Sequence, residues 1–302
     1  MITMQEFFQS LVIGAIQGIT EFLPISSSGH LVLVPYLFGW DYQGLSFDVA
    51  LHFGTALAVI AYFRRDWIKI IAKGLRLKAE GNSNLASGLR PPALGFSASS
   101  PRPPALGKNL LWQILIASIP AAIAGILIND YVESTLHSPL LLAANLIIFG
   151  WLLWYADKRA AFGLWPSAFA HSISTQGDLS LSKIGLRHAL FIGLAQSLAL
   201  VPGVSRSGIT ITAARSLGLN REAATRFSFL LGTPAIVGAF LYKFKDIDIA
   251  LINLPFIVAT LAAMVFGFLA IKYLLQYLRK SDFSVFLWYR VALAIIVLFG
   301  GK

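Results

Sequence analysis

Two short stretches carry polar groups where the surrounding chain is apolar. Gln17 to Leu31 reads QGITEFLPISSSGHL, and Gln196 to Thr210 reads QSLALVPGVSRSGIT. A hydrocarbon environment penalises every carboxylate, guanidinium and imidazole placed in it, so such groups inside apolar segments mark a candidate site. In the first stretch Glu21 follows Gln17 by one helical turn, and Ser27 precedes His30 by three positions just past Pro24. That spacing lets a hydroxyl, an imidazole and a carboxylate converge. A serine needs an adjacent base to act as a nucleophile at neutral pH. His30 can be that base, or it can protonate a leaving phosphate. Each group alone has a plainer reading, as hydrogen-bonded packing for His30 and as a helix cap for the serine run.

The second stretch has the make-up of a phosphate-holding loop. Gly203 and Gly208 permit close backbone approach, Ser205, Ser207 and Thr210 offer hydroxyls, and successive amides ahead of a helix form an anion-binding nest. Arg206 supplies the two-armed guanidinium that matches phosphate oxygens. The plainer alternative is a helix break whose serines satisfy freed backbone groups, which leaves an arginine at membrane depth unexplained. The two stretches also correspond. Laying Gln17 on Gln196 lays Ser26 on Ser205, Ser28 on Ser207 and Gly29 on Gly208, while Pro24 and Pro202 miss that register by one residue. Both copies break an apolar helix and then supply Ser-x-Ser-Gly, so the chain reads as two related halves whose broken helices meet at one polar site.

The elements that must position these groups are set by composition. The 302 residues are 57% hydrophobic and 13% charged, with a mean hydropathy of +0.72. Soluble domains carry about 25% charged residues, so a polytopic membrane protein is expected. The first six residues hold Glu6 and no Lys or Arg, whereas a secretory signal opens on basic residues; the first apolar segment is expected to stay in the mature chain. The absence of cysteine excludes disulfides, thiolate nucleophiles and thiolate metal sites. A net charge of +10 is accounted for by basic cytoplasmic loops, and no nucleic-acid partner is expected.

Apolar runs at 7–23 and 31–39 flank the first motif, and each is shorter than the roughly 20 residues that cross a bilayer. Short, interrupted segments at matching places in two halves point to discontinuous helices around a midplane site. Full spans are expected over 47–63, 110–128, 139–155, 227–242, 254–271 and 285–299, with a second broken segment over about 188–217. Basic residues place 64–108, 157–187 and 272–284 on the cytoplasmic side. Asp130 and Glu133, with no basic neighbour, place 129–138 outside. The expected architecture is an all-α membrane protein with six full spans, two broken re-entrant helical hairpins and both termini outside. It forms a single membrane domain of two halves, 1–156 and 157–302, with inverted topology. Residues 76–108, which hold RPPALG twice, read as a flexible cytoplasmic insertion. His137, His171 and His188 read as interfacial or solvated side chains. Asp48 and His52, one helical turn apart, read either as a helix start at the interface or as part of the site.

The strings QGITEFLPISSSGHL and PGVSRSGIT resemble the two signature motifs of the undecaprenyl-diphosphate phosphatase family, bacterial integral-membrane enzymes linked to bacitracin resistance. The likeness extends to SFDVALHFGTALAV at 46–59 and RFSFLLGTPAI at 226–236 and covers nearly the whole chain. It implies removal of the terminal phosphate from a C55 prenyl diphosphate, giving the monophosphate carrier lipid and inorganic phosphate. It implies catalytic roles for Glu21, Ser27, His30 and Arg206, and substrate contacts from Gln17, Ser26, Gly203, Ser205, Ser207, Gly208 and Thr210. It also implies help from a divalent cation such as Mg2+ or Ca2+, with Glu21 as the candidate ligand, Asp48 the other acid near the site and substrate phosphate completing the shell.

Gln17 is the uncharged form of a position that the family writes as Glu or Gln, and the RPPALG loop is longer than usual. The implied setting is the bacterial inner membrane, with a prenyl diphosphate among the membrane lipids as partner and room for a homodimer. The charge count opens the first hairpin to the extracytoplasmic side. A secondary transporter or flippase for an anionic or prenyl-phosphate substrate is the competing class, since inverted repeats, broken helices and a midplane arginine are transporter architecture. The Ser27 and His30 pair leans toward chemistry, because a carrier needs no nucleophile. Whether Ser27 or water attacks stays open at this level.

Overall fold

The computed structural model describes residues 3–41, 44–81, 109–135, 138–161, 180–243 and 252–300. Both RPPALG copies, His137 and His171 lie outside the described residues, as do the side chains of Asp130 and Glu133. The described residues form α-helices and short 3-10 turns, with no strand among them. In chain order the helices are α1 (Met4–Phe22), α2 (Ser27–Phe38), α3 (Leu45–Tyr62), α4 (Arg64–Gly81), α5 (Leu110–Thr135) and α6 (Pro139–Ala161). They continue with α7 (Leu186–Ser197), α8 (Arg206–Ser216), α9 (Arg221–Lys243), α10 (Leu254–Leu278) and α11 (Ser284–Phe299).

Four stretches, Leu110–Ile128, Pro139–Ala160, Arg221–Lys243 and Leu254–Leu278, are long and apolar enough to cross a membrane. A fifth is reached if α3 and α4, bent by 76° at Phe63, count as one span. The protein is therefore an all-helical, multi-pass membrane protein. Against the six expected spans, α11 has 16 residues, short of the roughly 20 that a straight crossing takes.

Residues 64–81, expected as the start of a loop, are helical. In α4 the apolar Trp67, Ile70, Ile71 and Leu75 recur at helical spacing among Arg64, Arg65, Lys69 and Lys73, the pattern of a helix lying along an interface. Ile70 is buried and Lys69 exposed. Residues 129–135, expected as a turn, continue α5.

Two helical hairpins carry the motifs. The first is α1 and α2, broken between Leu23 and Ser26; the second is α7 and α8, joined by a 3-10 turn at Leu198–Leu200 and the segment 201–205. Ser26 (φ 73°) and Ser205 (φ 71°) are the non-glycine residues with positive φ among those described. Such a backbone costs an L-residue on the order of 1–3 kcal/mol and persists only where its surroundings hold it. In both turns the cap serine meets the serine two residues on, Ser26 with Ser28 at 3.2 Å and Ser205 with Ser207 at 3.3 Å between hydroxyl oxygens.

Each hairpin lies on a span that the sequence reading gave to the other half. On α1, a Cβ added to Gly14 would stand 2.3 Å from the Ala259 carbonyl oxygen of α10. On α7, a Cβ added to Gly193 would stand 2.2 Å from the Ala117 carbonyl oxygen of α5. Only glycine allows this backbone-to-backbone approach, the usual way membrane helices gain contact without a hydrophobic driving force. Phe22 at the end of α1 meets Phe229 of α9 edge to face, with centroids 5.1 Å apart, and both are fully buried.

An ionic layer closes one end of the bundle. Buried Asp157 of α6 pairs with Arg215 of α8 and Arg221 of α9, each at 2.8 Å. Arg226 pairs with Asp66 of α4 at 2.5 Å, and Lys158 with Asp282 at 2.6 Å. The Lys158 ammonium, donating to Asp282 in the turn before α11, holds that carboxyl down to about 2.

Candidate active site

The two helix starts meet. Ser27 and Arg206 are the first residues of α2 and α8, each following its positive-φ serine. The positive ends of both helices face this junction, where negative charge is favoured. Between them stands Glu21, 6% exposed, from the last turn of α1. Its Oε1 accepts from Arg206 Nη2 at 2.7 Å, and its Oε2 accepts from Ser27 Oγ at 2.7 Å and from Gln17 Nε2 at 3.2 Å. The spacing of Gln17 and Glu21 puts them on one face of α1.

Arg206 is seated from a third element. Its Nη1 donates to the Ser228 carbonyl of α9 at 3.3 Å, and its guanidinium lies against Gly232, where an added Cβ would overlap Nη1. Thr210 turns inward to share a 2.6 Å hydrogen bond with Ser228 Oγ and donates back to the Arg206 carbonyl at 2.8 Å. Ser205 Oγ caps α8 by accepting from Gly208 N at 3.2 Å, and Ser207 Oγ reaches the Leu23 carbonyl of the first hairpin at 3.2 Å. Gly203 (φ +88°) passes so close to α6 that a Cβ would meet the Leu142 carbonyl at 2.8 Å. Asn145 Nδ2, also on α6, donates to the Pro202 carbonyl at 2.8 Å.

The geometry brings Gln17, Glu21, Ser27 and Arg206 into one hydrogen-bonded cluster, with Thr210 bonded to the Arg206 carbonyl. Ser26, Ser205, Ser207, Gly203 and Gly208 shape the two turns. His30 stands apart. Its Nδ1 donates to the Ser26 carbonyl at 2.7 Å, and its Nε2 meets the Tyr289 hydroxyl of α11 at 2.7 Å. Both ring nitrogens are thus engaged away from Ser27. The imidazole beside Glu21 belongs to His52 of α3, whose Nε2 lies 3.6 Å from Oε2. His52 Nδ1 donates to the Asp48 carbonyl at 2.8 Å, so the proton that makes this contact an ion pair is the one on Nε2.

Sequence reading did not single out Ser228, Tyr289 or Arg290. Arg290 carried a usable signal, a lone guanidinium inside the apolar run 285–299, which is the criterion that found Arg206. It is fully buried, and its Nη2 donates to the Gly203 carbonyl at 2.5 Å and the Val204 carbonyl at 2.8 Å. Ser228 carried none, because a serine on an apolar helix is common and its role depends on which helix faces it.

The chain matches the family model described as bacitracin resistance protein BacA over residues 10–296. It is 42% identical over 293 residues to the undecaprenyl-diphosphatase of Pelotomaculum thermopropionicum, with 96% of each chain covered. It is 42% identical over 289 residues to that of Elusimicrobium minutum, again with 96% of each covered. With the protein of that name from Moorella thermoacetica the identity is 41% over 289 residues, covering 96% of this chain and 95% of the relative. A match of this extent, with both motif turns inside it, makes the chain a member of the BacA bacitracin resistance protein family.

Proposed function

We propose that this protein hydrolyses undecaprenyl diphosphate to undecaprenyl phosphate and inorganic phosphate, returning the carrier lipid of cell-wall synthesis and giving the bacitracin resistance for which its family is named. One observation carries the chemistry: a single buried carboxylate, Glu21, accepts from a serine hydroxyl and from an arginine at 2.7 Å each. That arrangement supplies a nucleophile, its base and an anion-binding fork within one cluster. Arg206, held by Glu21 at 2.7 Å, offers its fork to the phosphate oxygens. Amides at the starts of α2 and α8 add donors where charge builds on the transferring phosphoryl group.

Ser27 Oγ attacks the terminal phosphorus and its proton passes to Glu21. The bond from that phosphorus to the bridging oxygen breaks, and the electron pair leaves on the prenyl monophosphate. Glu21 yields its proton to solvent and takes the next one from a water that attacks phosphoserine; the bond from phosphorus to Ser27 Oγ then breaks, phosphate leaves, and Glu21 returns that proton to Oγ, restoring Ser27. A divalent cation at Glu21 would share oxygens that already accept from Arg206 and Ser27, and the described residues contain no group of three His, Asp or Glu arranged to hold a metal.

The two halves are proposed to be inverted repeats, 1–156 and 157–302, in a bacterial inner membrane. The similar positive φ angles of Ser26 (73°) and Ser205 (71°) and the matched close approaches of Gly14 and Gly193 support this reading. The ionic layer gathers residues from the segments whose basic charge marks the cytoplasmic side, which supports a site open to the extracytoplasmic side. The test is phosphate release from a polyprenyl diphosphate by purified protein in detergent, where no gradient exists. Release is expected, and its loss in Ser27→Ala would tie it to this cluster; a protein that binds the lipid without releasing phosphate would be a carrier instead.

A further inference from the structure

Arg290 lies outside the chemistry just described. It is 0% exposed, and its Nε and Nη1 find no hydrogen-bond partner among the described residues. A buried guanidinium without a counter-charge is costly, and in a membrane helix it marks function. Its Nη2 spends its donors on two successive carbonyls of the second turn, Gly203 and Val204. Its Nη1 packs against the same turn, where a Cβ added to Gly208 would come within 3.3 Å.

The preceding residue serves the other turn. Tyr289 lies about 100° round α11 from Arg290, bonds His30 Nε2 at 2.7 Å and stacks on its ring with centroids 5.6 Å apart. His30 in turn donates to the Ser26 carbonyl. Adjacent residues of one helix therefore hold carbonyls of both positive-φ turns.

In a trans peptide the carbonyl and the following N–H point in opposite directions. Drawing the Val204 carbonyl to Arg290 turns the Ser205 N–H away from it, and drawing the Ser26 carbonyl to His30 turns the Ser27 N–H away from that ring. We propose that Tyr289 and Arg290 are positioning residues, a brace that aims the amides at the two helix starts toward a bound diphosphate and fixes Ser27 relative to Arg206. This rests on the reading of the helix junction as the diphosphate site. The Arg290 charge, which pairs with no carboxylate among the described residues, is then offset across the turn when the diphosphate binds.

The experiment measures, in detergent, binding of farnesyl methylenediphosphonate together with kcat and KM on farnesyl diphosphate. The proteins are wild type, Arg206→Ala, Arg290→Lys and Tyr289→Phe, with thermal unfolding as the control for fold. Arg290→Lys keeps the charge but loses the two-carbonyl grip, and it is expected to bind the diphosphonate at least tenfold more weakly with Tm nearly unchanged. Tyr289→Phe is expected to lower kcat at least threefold at constant KM, and to add no loss in a His30→Gln background, because it acts through that ring. Wild-type binding by a folded Arg290→Lys, while Arg206→Ala loses it, would overturn the brace and leave the site intact. Wild-type binding by Arg206→Ala would overturn the site reading and the brace with it. If Arg290→Lys fails to fold, the His30 cycle decides, and multiplying losses of Tyr289→Phe and His30→Gln would overturn the brace.

Discussion

The Glu21 carboxylate has two oxygens and four neighbours: Arg206, Ser27, Gln17 and, at 3.6 Å, His52. Each oxygen carries a charge-assisted bond, and such bonds are about twice as strong as neutral ones, so Glu21 is the group that fixes where the serine and the arginine stand. If Ser27 is the nucleophile, Ser27→Ala abolishes hydrolysis and rapid acid quench of the wild type traps phosphoserine, whereas exposed Ser28→Ala keeps most activity. Full activity in Ser27→Ala would leave water as the attacker. The sequence made Gln17, Glu21 and Arg206 legible, because a helical turn and a membrane-depth arginine are local patterns. Which histidine meets the carboxylate was not legible. His30 is closer to Ser27 in the chain, but α2 turns its ring toward α11, and α3 brings His52 to Glu21 instead.

At the scale of elements, the site depends on two helix starts being pressed together by spans that cross behind them. Glycines make that possible: α7 meets α5 at Gly193 with no room for a side chain. Gly193→Val would force a backbone shift costing about 3 kcal/mol, so the detergent-solubilised protein should unfold at a clearly lower temperature. Gly238→Ala is the control, since a Cβ there meets nothing within 4 Å, and it should be neutral or slightly stabilising. Equal Tm values for the two variants would contradict the packing. The breaks after α1 and α7 were legible from proline, glycine and serine. Helix α4 was not, because counting its basic residues as a loop hid the apolar stripe between them. The bounds of α11 were legible, since the apolar run at 285–299 falls within the helix Ser284–Phe299, whose first residue donates its N–H to Asp282 at 2.9 Å.

For the whole molecule, α1 lies on α10 and α7 on α5, so the two proposed halves would be interlocked. Sidedness can be read with a cysteine-free chain. Ser28→Cys, at an exposed position beside the first turn, should react in intact cells with a membrane-impermeant thiol reagent and be protected by added prenyl diphosphate. Lys69→Cys on α4 should react only after lysis, and the reverse pattern would place the opening on the cytoplasmic side. The central claim is that hairpins distant in sequence form one catalytic unit through Glu21 and Arg206. Its most direct test is a double-mutant cycle on kcat/KM for polyprenyl diphosphate, using Glu21→Asp and Arg206→Lys so that each single variant keeps measurable turnover. Residues acting as a unit give non-additive losses. Arg206→Lys alone should lose at least tenfold, because a point charge cannot replace the fork, and the double variant should lose little more than the worse single one. Losses that multiply would mean that the two residues act independently, and would contradict the account.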